Sequence, residues 1–189
     1  MPLLKEDLIQ WLRLIDNPLL RLTAMLCWKT ASRWGDVVNL TVSHFPVIED
    51  NEVIVAWSTL PKGRKANPYT PSMYTVIQGS WTSEIAATLR LITDPNLPFC
   101  PWTTDKLDAE LKKVNLMARY TAHSFKRGAA THLVKEAERL GIELSATDFS
   151  VLLKHKTTYD LLSSQDLRYT EAGPCLARLL GTQRVTRLL

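Results

Sequence analysis

Cysteine is scarce in this chain and scattered. Cys27, Cys100 and Cys175 are three among 189 residues. They form no CxxC pair and no even set, which excludes a zinc-ribbon type of site and a disulfide framework and points to a reducing compartment. Long apolar runs are missing too. No stretch approaches the roughly 20 residues a helix needs to span a bilayer, so a membrane-spanning helix is excluded. The opening MPLLKEDLIQWL carries acidic residues and a helical period, unlike a secretory signal. There is no glycine-rich Walker loop, no acidic triplet suited to Mg²⁺ and no Cys/His cluster, so no metal, nucleotide or other cofactor is expected. Internal repeats and low-complexity tracts are also lacking. What remains is the expectation of one soluble, intracellular domain, with 46% hydrophobic and 22% charged residues and enough length to bury a core.

The charge that is present is small in sum and uneven in place. A formal net charge of +4 is a weak pull toward an anionic partner. From Lys112 to Arg127, however, five basic residues (Lys112, Lys113, Arg119, Lys126, Arg127) occur with no acidic one, and PKGRKANP adds Lys62, Arg64 and Lys65. Charge runs commonly do no more than solvate a face, so each needs independent support.

Periodicity supplies the elements. In KEDLIQWLRLID the apolar Leu8, Trp11, Leu12 and Ile15 recur at helical spacing. Asn17 reads as the N-cap and Pro18 as the first residue of a second helix, with Leu19, Leu22, Met25 and Leu26 as its buried stripe and Gly35 breaking it before a short helical piece, DVVNL. EVIVAWSTL reads as a strand, with NPYTPSM as an extended partner beyond PKGRKA and SHFPVIEDN ahead of both, Asp50 and Asn51 forming the first turn. The rest reads as helical: GSWTSEIAATLRLIT, TTDKLDAELKKVNLM, HSFKRGAATHLVKEAERLG, ATDFSVLLKH, TYDLLSSQDLRYT and the tail PCLARLLGTQRVTRLL. In that tail Leu176, Leu179, Leu180 and Val185 supply one apolar face. The fold class expected is mostly α with a small antiparallel β-sheet (α+β).

Five pieces then fall in order: TASRWGDVVNL, TLPKGRKANPYTP, AHSFKRGAATHL, LLKHK and LRYT. An arginine at a helix break, a lysine in a hairpin, a histidine with a basic residue three positions on, a second histidine and a late tyrosine resemble the catalytic domain of the tyrosine recombinase (phage integrase) family. The resemblance runs from about Leu4 to the tail. By position it implies that Arg33 is the first catalytic arginine, Asp36 an acidic group that orients the site, Lys62 the hairpin lysine with Lys65 as substitute, His123 the histidine of the HxxR motif, His155 the second histidine and Tyr169 the nucleophile. Two features depart from the family pattern. Lys126 stands at the second arginine position, with Arg127 one residue further round the helix. The offset from His155 to Tyr169 is 14 residues, longer than usual, which makes Tyr159 a rival nucleophile.

The resemblance implies metal- and ATP-independent cleavage and rejoining of DNA through a 3′-phosphotyrosine, in a site-specific recombinase or integrase. The longer offset suggests a divergent branch, of the kind carried by a mobile or transposable element. A catalytically weakened DNA-binding module and a type IB topoisomerase-like enzyme are the alternatives. Double-stranded DNA is the partner implied, with Arg64, Lys112, Lys113 and Arg119 as phosphate contacts and self-association as dimer or tetramer on DNA. The chain reads as one catalytic domain without the family's N-terminal clamping domain, and residues 174–189 as a tail exchanged between protomers. Its compartment would be the nucleus in a eukaryote, or the cytoplasm and nucleoid in a prokaryote. His44 and His132, Tyr74 and Tyr120, and Trp34, Trp57 and Trp81 match no motif and read as packing groups.

Overall fold

In the computed structural model, which describes residues 1–57, 73–154 and 173–189, the apolar stripes become buried faces. Helix α1 (Lys5–Leu14) turns Leu8, Trp11 and Leu12 into the core and leaves Glu6, Gln10 and Arg13 in solvent. Helix α2 (Pro18–Lys29) begins as its sequence requires. Asn17 Oδ1 accepts from the backbone N–H of Leu19 at 2.9 Å and of Leu20 at 3.3 Å, and Pro18 sits where a missing N–H costs nothing. Burial along α2 is wider than one stripe and includes every residue from Leu22 to Lys29. The reason is that α4 (Thr82–Leu91) and α6 (Ser124–Leu140) both pack against it.

The break after α2 differs from the expectation. Ala31 takes a left-handed conformation (φ 47°), and the Ser32 N–H bonds back to Cys27 O at 2.9 Å. The chain re-enters helix at Trp34, so α3 (Trp34–Val37) contains Gly35 instead of following it. A left-handed residue just past a helix end satisfies its last carbonyls, and here alanine does so without glycine.

The sheet is antiparallel in the order β1 (Val47–Glu49), β2 (Glu52–Trp57), β3 (Met73–Ile77). Glu49 faces Glu52, which confirms the turn at Asp50–Asn51. Of the expected extended segment NPYTPSM only Met73 lies within the described residues; β3 includes it and runs on through the β-branched and aromatic Tyr74–Ile77. Alternation divides the sheet between two cores. Val53, Val55, Trp57 and Ile77 join the main core, whereas Ile54, Tyr74 and Val76 pack with Ala177 of the tail.

The tail is two short helices, not one. Gly181, at φ 80°, separates α8 (Gly173–Leu180) from α9 (Thr182–Thr186). Leu179 is 81% exposed while Val185 is buried, so these two do not share a buried face. Helix α9 closes the edge of β3: the Val76 N–H donates to Thr182 Oγ1 at 2.7 Å, and Thr186 Oγ1 donates to Val76 O at 2.8 Å. A sheet edge is thereby paired to side chains of the same chain. Trp28 Nε1 adds a bond to Leu189 O at 3.1 Å.

The remaining helices are α5 (Thr104–Lys112), capped by Thr103, and α7 (Ala146–Leu152), capped reciprocally by Ser145 and Asp148. Helix α6 ends at Gly141 in the left-handed region. Among the described residues no helix is long and apolar enough to cross a membrane. The helical fold with a small antiparallel sheet is the fold class the sequence led to.

Candidate functional site

The elements that carry Arg33 and Lys126 meet through their neighbours in sequence. Trp34 and Phe125 are both fully buried, with ring centroids 5.5 Å apart, and Trp11 packs edge-on against Phe125. Aromatic packing of this kind fixes where two backbones lie relative to one another. Trp34 Nε1 is further anchored on Trp102 O at 3.0 Å. Packing one position away from each cation places Lys126 within electrostatic range of Arg33. Arg33 is exposed and Lys126 half-buried.

Lys126 senses the Arg33 charge. The Lys126 ammonium is pushed below its ordinary pKa first by burial and then by the Arg33 charge, with Asp36 opposing both. Two cations within range of one another, only partly offset by Asp36, form a patch that gains by binding an anion. Asp36 accepts from the Arg33 backbone N–H at 3.0 Å. It therefore serves the backbone of the break and lies near the ammonium as well, consistent with an orienting group.

His123 occupies the N-cap position of α6 and is exposed. No acidic residue lies in the first turn of that helix, whose N-terminus adds partial positive charge beside Lys126. The loop before it is tied down: the Ala122 N–H donates to Asp108 at 2.8 Å and the Thr121 N–H to Ser124 Oγ at 2.9 Å. Arg127 is exposed, one step round the helix from the half-buried Lys126.

The expected DNA contacts differ in their surroundings. Lys112 and Lys113 are exposed at the end of α5, Lys113 pairing with Glu110 at 2.9 Å. Arg119 is bound to Asp7 at 2.8 Å and stacks over the Tyr120 ring at 5.0 Å. Its guanidinium thus holds the loop before α6 to α1. Tyr120 itself donates to Asp7 at 2.6 Å, the packing role expected of it. The bland readings of the other aromatics and histidines suit their surroundings: Trp34, Trp57 and Tyr74 are buried, His132 lies against Trp28, and His44 Nδ1 accepts from the Thr41 N–H. Lys62, Arg64, Lys65, His155, Tyr159 and Tyr169 lie outside the described residues.

One residue beside the site was missed from the sequence. Lys154, immediately before His155, sends its ammonium to Ser32 Oγ at 3.1 Å and Thr30 O at 3.4 Å, on the break that presents Arg33. Its position in LLKH, where the resembling family has glycine, was the available signal.

No protein-family model and no curated protein matches the chain. Among solved structures, the fold is similar to that in a crystal structure of the XerH site-specific recombinase bound to difH substrate in a pre-cleavage complex, with a TM-score of 0.57 and 15% sequence identity. The match covers 86% of this chain and 49% of that one, so the chain spans about half the length of the recombinase. At that identity the likeness establishes the fold, which is the recombinase catalytic-domain fold that the ordered motifs resemble.

Proposed function

We propose that this protein cuts and rejoins DNA strands as a site-specific recombinase or integrase, through a covalent 3′-phosphotyrosine. The observation that carries the proposal is the juxtaposition of Arg33 and Lys126 by the Trp34–Phe125 contact, within a fold shared with a DNA-bound recombinase. In the reaction the Tyr169 hydroxyl oxygen attacks the scissile phosphorus and its proton passes to solvent. The new O–P bond forms as the bond from phosphorus to the 5′-oxygen breaks, and Lys62 protonates that oxygen as general acid. Rejoining reverses each step, so the bond energy is conserved in the ester and no fuel is consumed.

Negative charge grows on the two non-bridging oxygens as the phosphorus becomes pentacoordinate. Pre-placed donors that bind this arrangement better than the ground state lower the barrier. Arg33 grips two oxygens with its planar fork. Lys126, His123 and His155 add donors around them. Lysine in place of a second arginine keeps the charge but gives up bidentate geometry, a loss on the order of 2–4 kcal/mol of barrier. Lysine at the second arginine position and the 14-residue offset from His155 to Tyr169 favour, as a second reading, a catalytically weakened DNA-binding module.

Incubating the protein with duplex DNA nicked just beyond the cleavage site traps the covalent intermediate, because the short 5′-ended strand diffuses away. The expected result is a denaturation-resistant protein–DNA adduct, abolished by Tyr169→Phe and by Arg33→Ala and formed faster by Lys126→Arg. Loss of the adduct in Tyr159→Phe alone would move the nucleophile. Tight binding with no adduct on any substrate would leave the weakened module.

A further inference from the structure

Lys154 holds a backbone conformation that lysine seldom adopts, with φ 56° just past the end of α7. Glycine takes up this left-handed region readily, and side chains with a Cβ do so only when something holds them. What holds Lys154 is its ammonium. Nζ donates to Ser32 Oγ at 3.1 Å and to Thr30 O at 3.4 Å, and stands 4.5 Å from the centroid of the Trp57 ring. An ammonium has three N–H bonds; two meet oxygens and the third side of the cation meets an aromatic face.

Those partners belong to elements far apart in sequence. Thr30 and Ser32 form the break whose next residue is Arg33. Ser32 is locked there from several sides, its Oγ 2.8 Å from Thr30 Oγ1 and its carbonyl accepting from Cys27 Sγ at 2.9 Å. Trp57 ends β2, and its indole nitrogen donates to Thr75 Oγ1 of β3 at 2.9 Å. One side chain therefore pins the break to the sheet.

We propose that Lys154 is a positioning residue for Arg33, a cationic clamp that sets the angle at which the guanidinium meets a DNA phosphate beside Lys126. The role rests on the recombinase reading above. With its N–H groups engaged inside the protein, Lys154 acts through Ser32 and the backbone of the break and does not itself touch DNA.

Among the described residues the charged and titratable groups around it are Asp36, Lys126, Cys27 and Arg33. Burial is the largest influence and pushes the ammonium down to about 8, with Lys126 and Arg33 acting in the same direction and Asp36 against them. The clamp is thus complete below that pH, and its hold on the Trp57 ring weakens as pH rises through it.

The test uses the full chain and nicked duplex DNA, measuring the single-turnover rate of adduct formation and the DNA affinity separately. Lys154→Met, which keeps the stem against Trp57, and Lys154→Gly, which fits the left-handed backbone, are each expected to slow adduct formation ~10- to 100-fold while affinity changes less than about threefold. Lys154→Arg is expected to recover most of the rate and to lack the alkaline fall near pH 8 expected of the wild type. Glycine suits this backbone, so Lys154→Gly should melt close to the wild type, separating a slow rate from unfolding. An adduct formed by Lys154→Met as fast as by the wild type, or a parallel loss of rate and affinity, would overturn the clamp and leave the recombinase reading standing. No adduct from the wild type would overturn the reading and the clamp together. A readout without catalysis is the Trp57 indole NMR resonance, expected to titrate near pH 8 in the wild type and not in Lys154→Met; a resonance that does not move removes the clamp's ammonium from that ring.

Discussion

Lys29 is fully buried, and its ammonium donates to two backbone carbonyls, Gln78 O at 2.8 Å and Thr186 O at 2.6 Å. Burial, helped by the charge of Lys5, pushes its pKa down to about 7. The sign of the consequence follows from proton counting. Below pH 7 both folded and unfolded chains hold the proton, and the fold carries a buried charge. Between about 7 and the unfolded value near 10.4 only the unfolded chain holds it, so stability rises with pH, by up to about 1.4 kcal/mol per unit. Urea unfolding of wild type and Lys29→Met is therefore expected to diverge from pH 6 to pH 8.5, with the wild type gaining. A difference that stays constant over that range would rule out a titrating ammonium. Nothing in the one-dimensional pattern marks Lys29, because it sits in a helix whose other positions are largely apolar, and only packing from several sides buries it. Arg119 shows the same limit: its place in a basic run suggests a phosphate contact, and nothing near it in sequence marks Asp7, 112 positions away, as its ion-pair partner.

Helix α6 crosses the N-terminal segment at Gly128. A Cβ there would collide with Leu3 O and lie 2.8 Å from Leu3 N, and the Leu3 N–H bonds to Ser124 O at 3.0 Å one turn earlier. Alanine in a helix interior normally stabilises by about 1 kcal/mol over glycine. Here the sign reverses. Gly128→Ala is expected to destabilise by about 1–3 kcal/mol through overpacking against main chain, read as a lower denaturation midpoint. A rise instead would mean that Leu3 yields freely. Element identity was largely legible: the caps at Asn17 and Ser145, the stripe of α1 and the turn at Asp50–Asn51 depend on local chemistry that neighbouring residues contain. The break after α2 was placed at Gly35 because glycine is the usual breaker, whereas Ala31 takes the left-handed turn under the constraint of Cys27, Ser32 and Lys154. The tail was read as one helix because Gly181 alone is a weak signal until β3 requires the chain to turn back along its edge.

Across the whole molecule, affinity for DNA should follow exposed cations able to release counterions. Lys112 and Lys113 remain exposed at the end of α5, and a surface pair such as Lys113–Glu110 contributes little to hold its lysine back. Replacing both by glutamine is expected to flatten the dependence of log affinity on log salt by up to about 1.8, roughly 0.9 for each phosphate no longer neutralised. Arg119→Gln, whose guanidinium is engaged with Asp7 in the wild type, should alter that slope less. Equal slopes for all three proteins would remove α5 from the interface, as a titration of binding against salt will reveal.

What the sequence determined by itself was the class of fold and the order of the chemistry-bearing motifs, since apolar period and capping are written in residues a few positions apart. It also made Arg33 and Lys126 candidates for one site. Only the tertiary structure decided that their sequence neighbours Trp34 and Phe125 pack together, and that Lys154 ties the break beside Arg33 to the sheet. Both depend on packing between segments distant along the chain, whose energy comes from shared burial, and no local pattern encodes that.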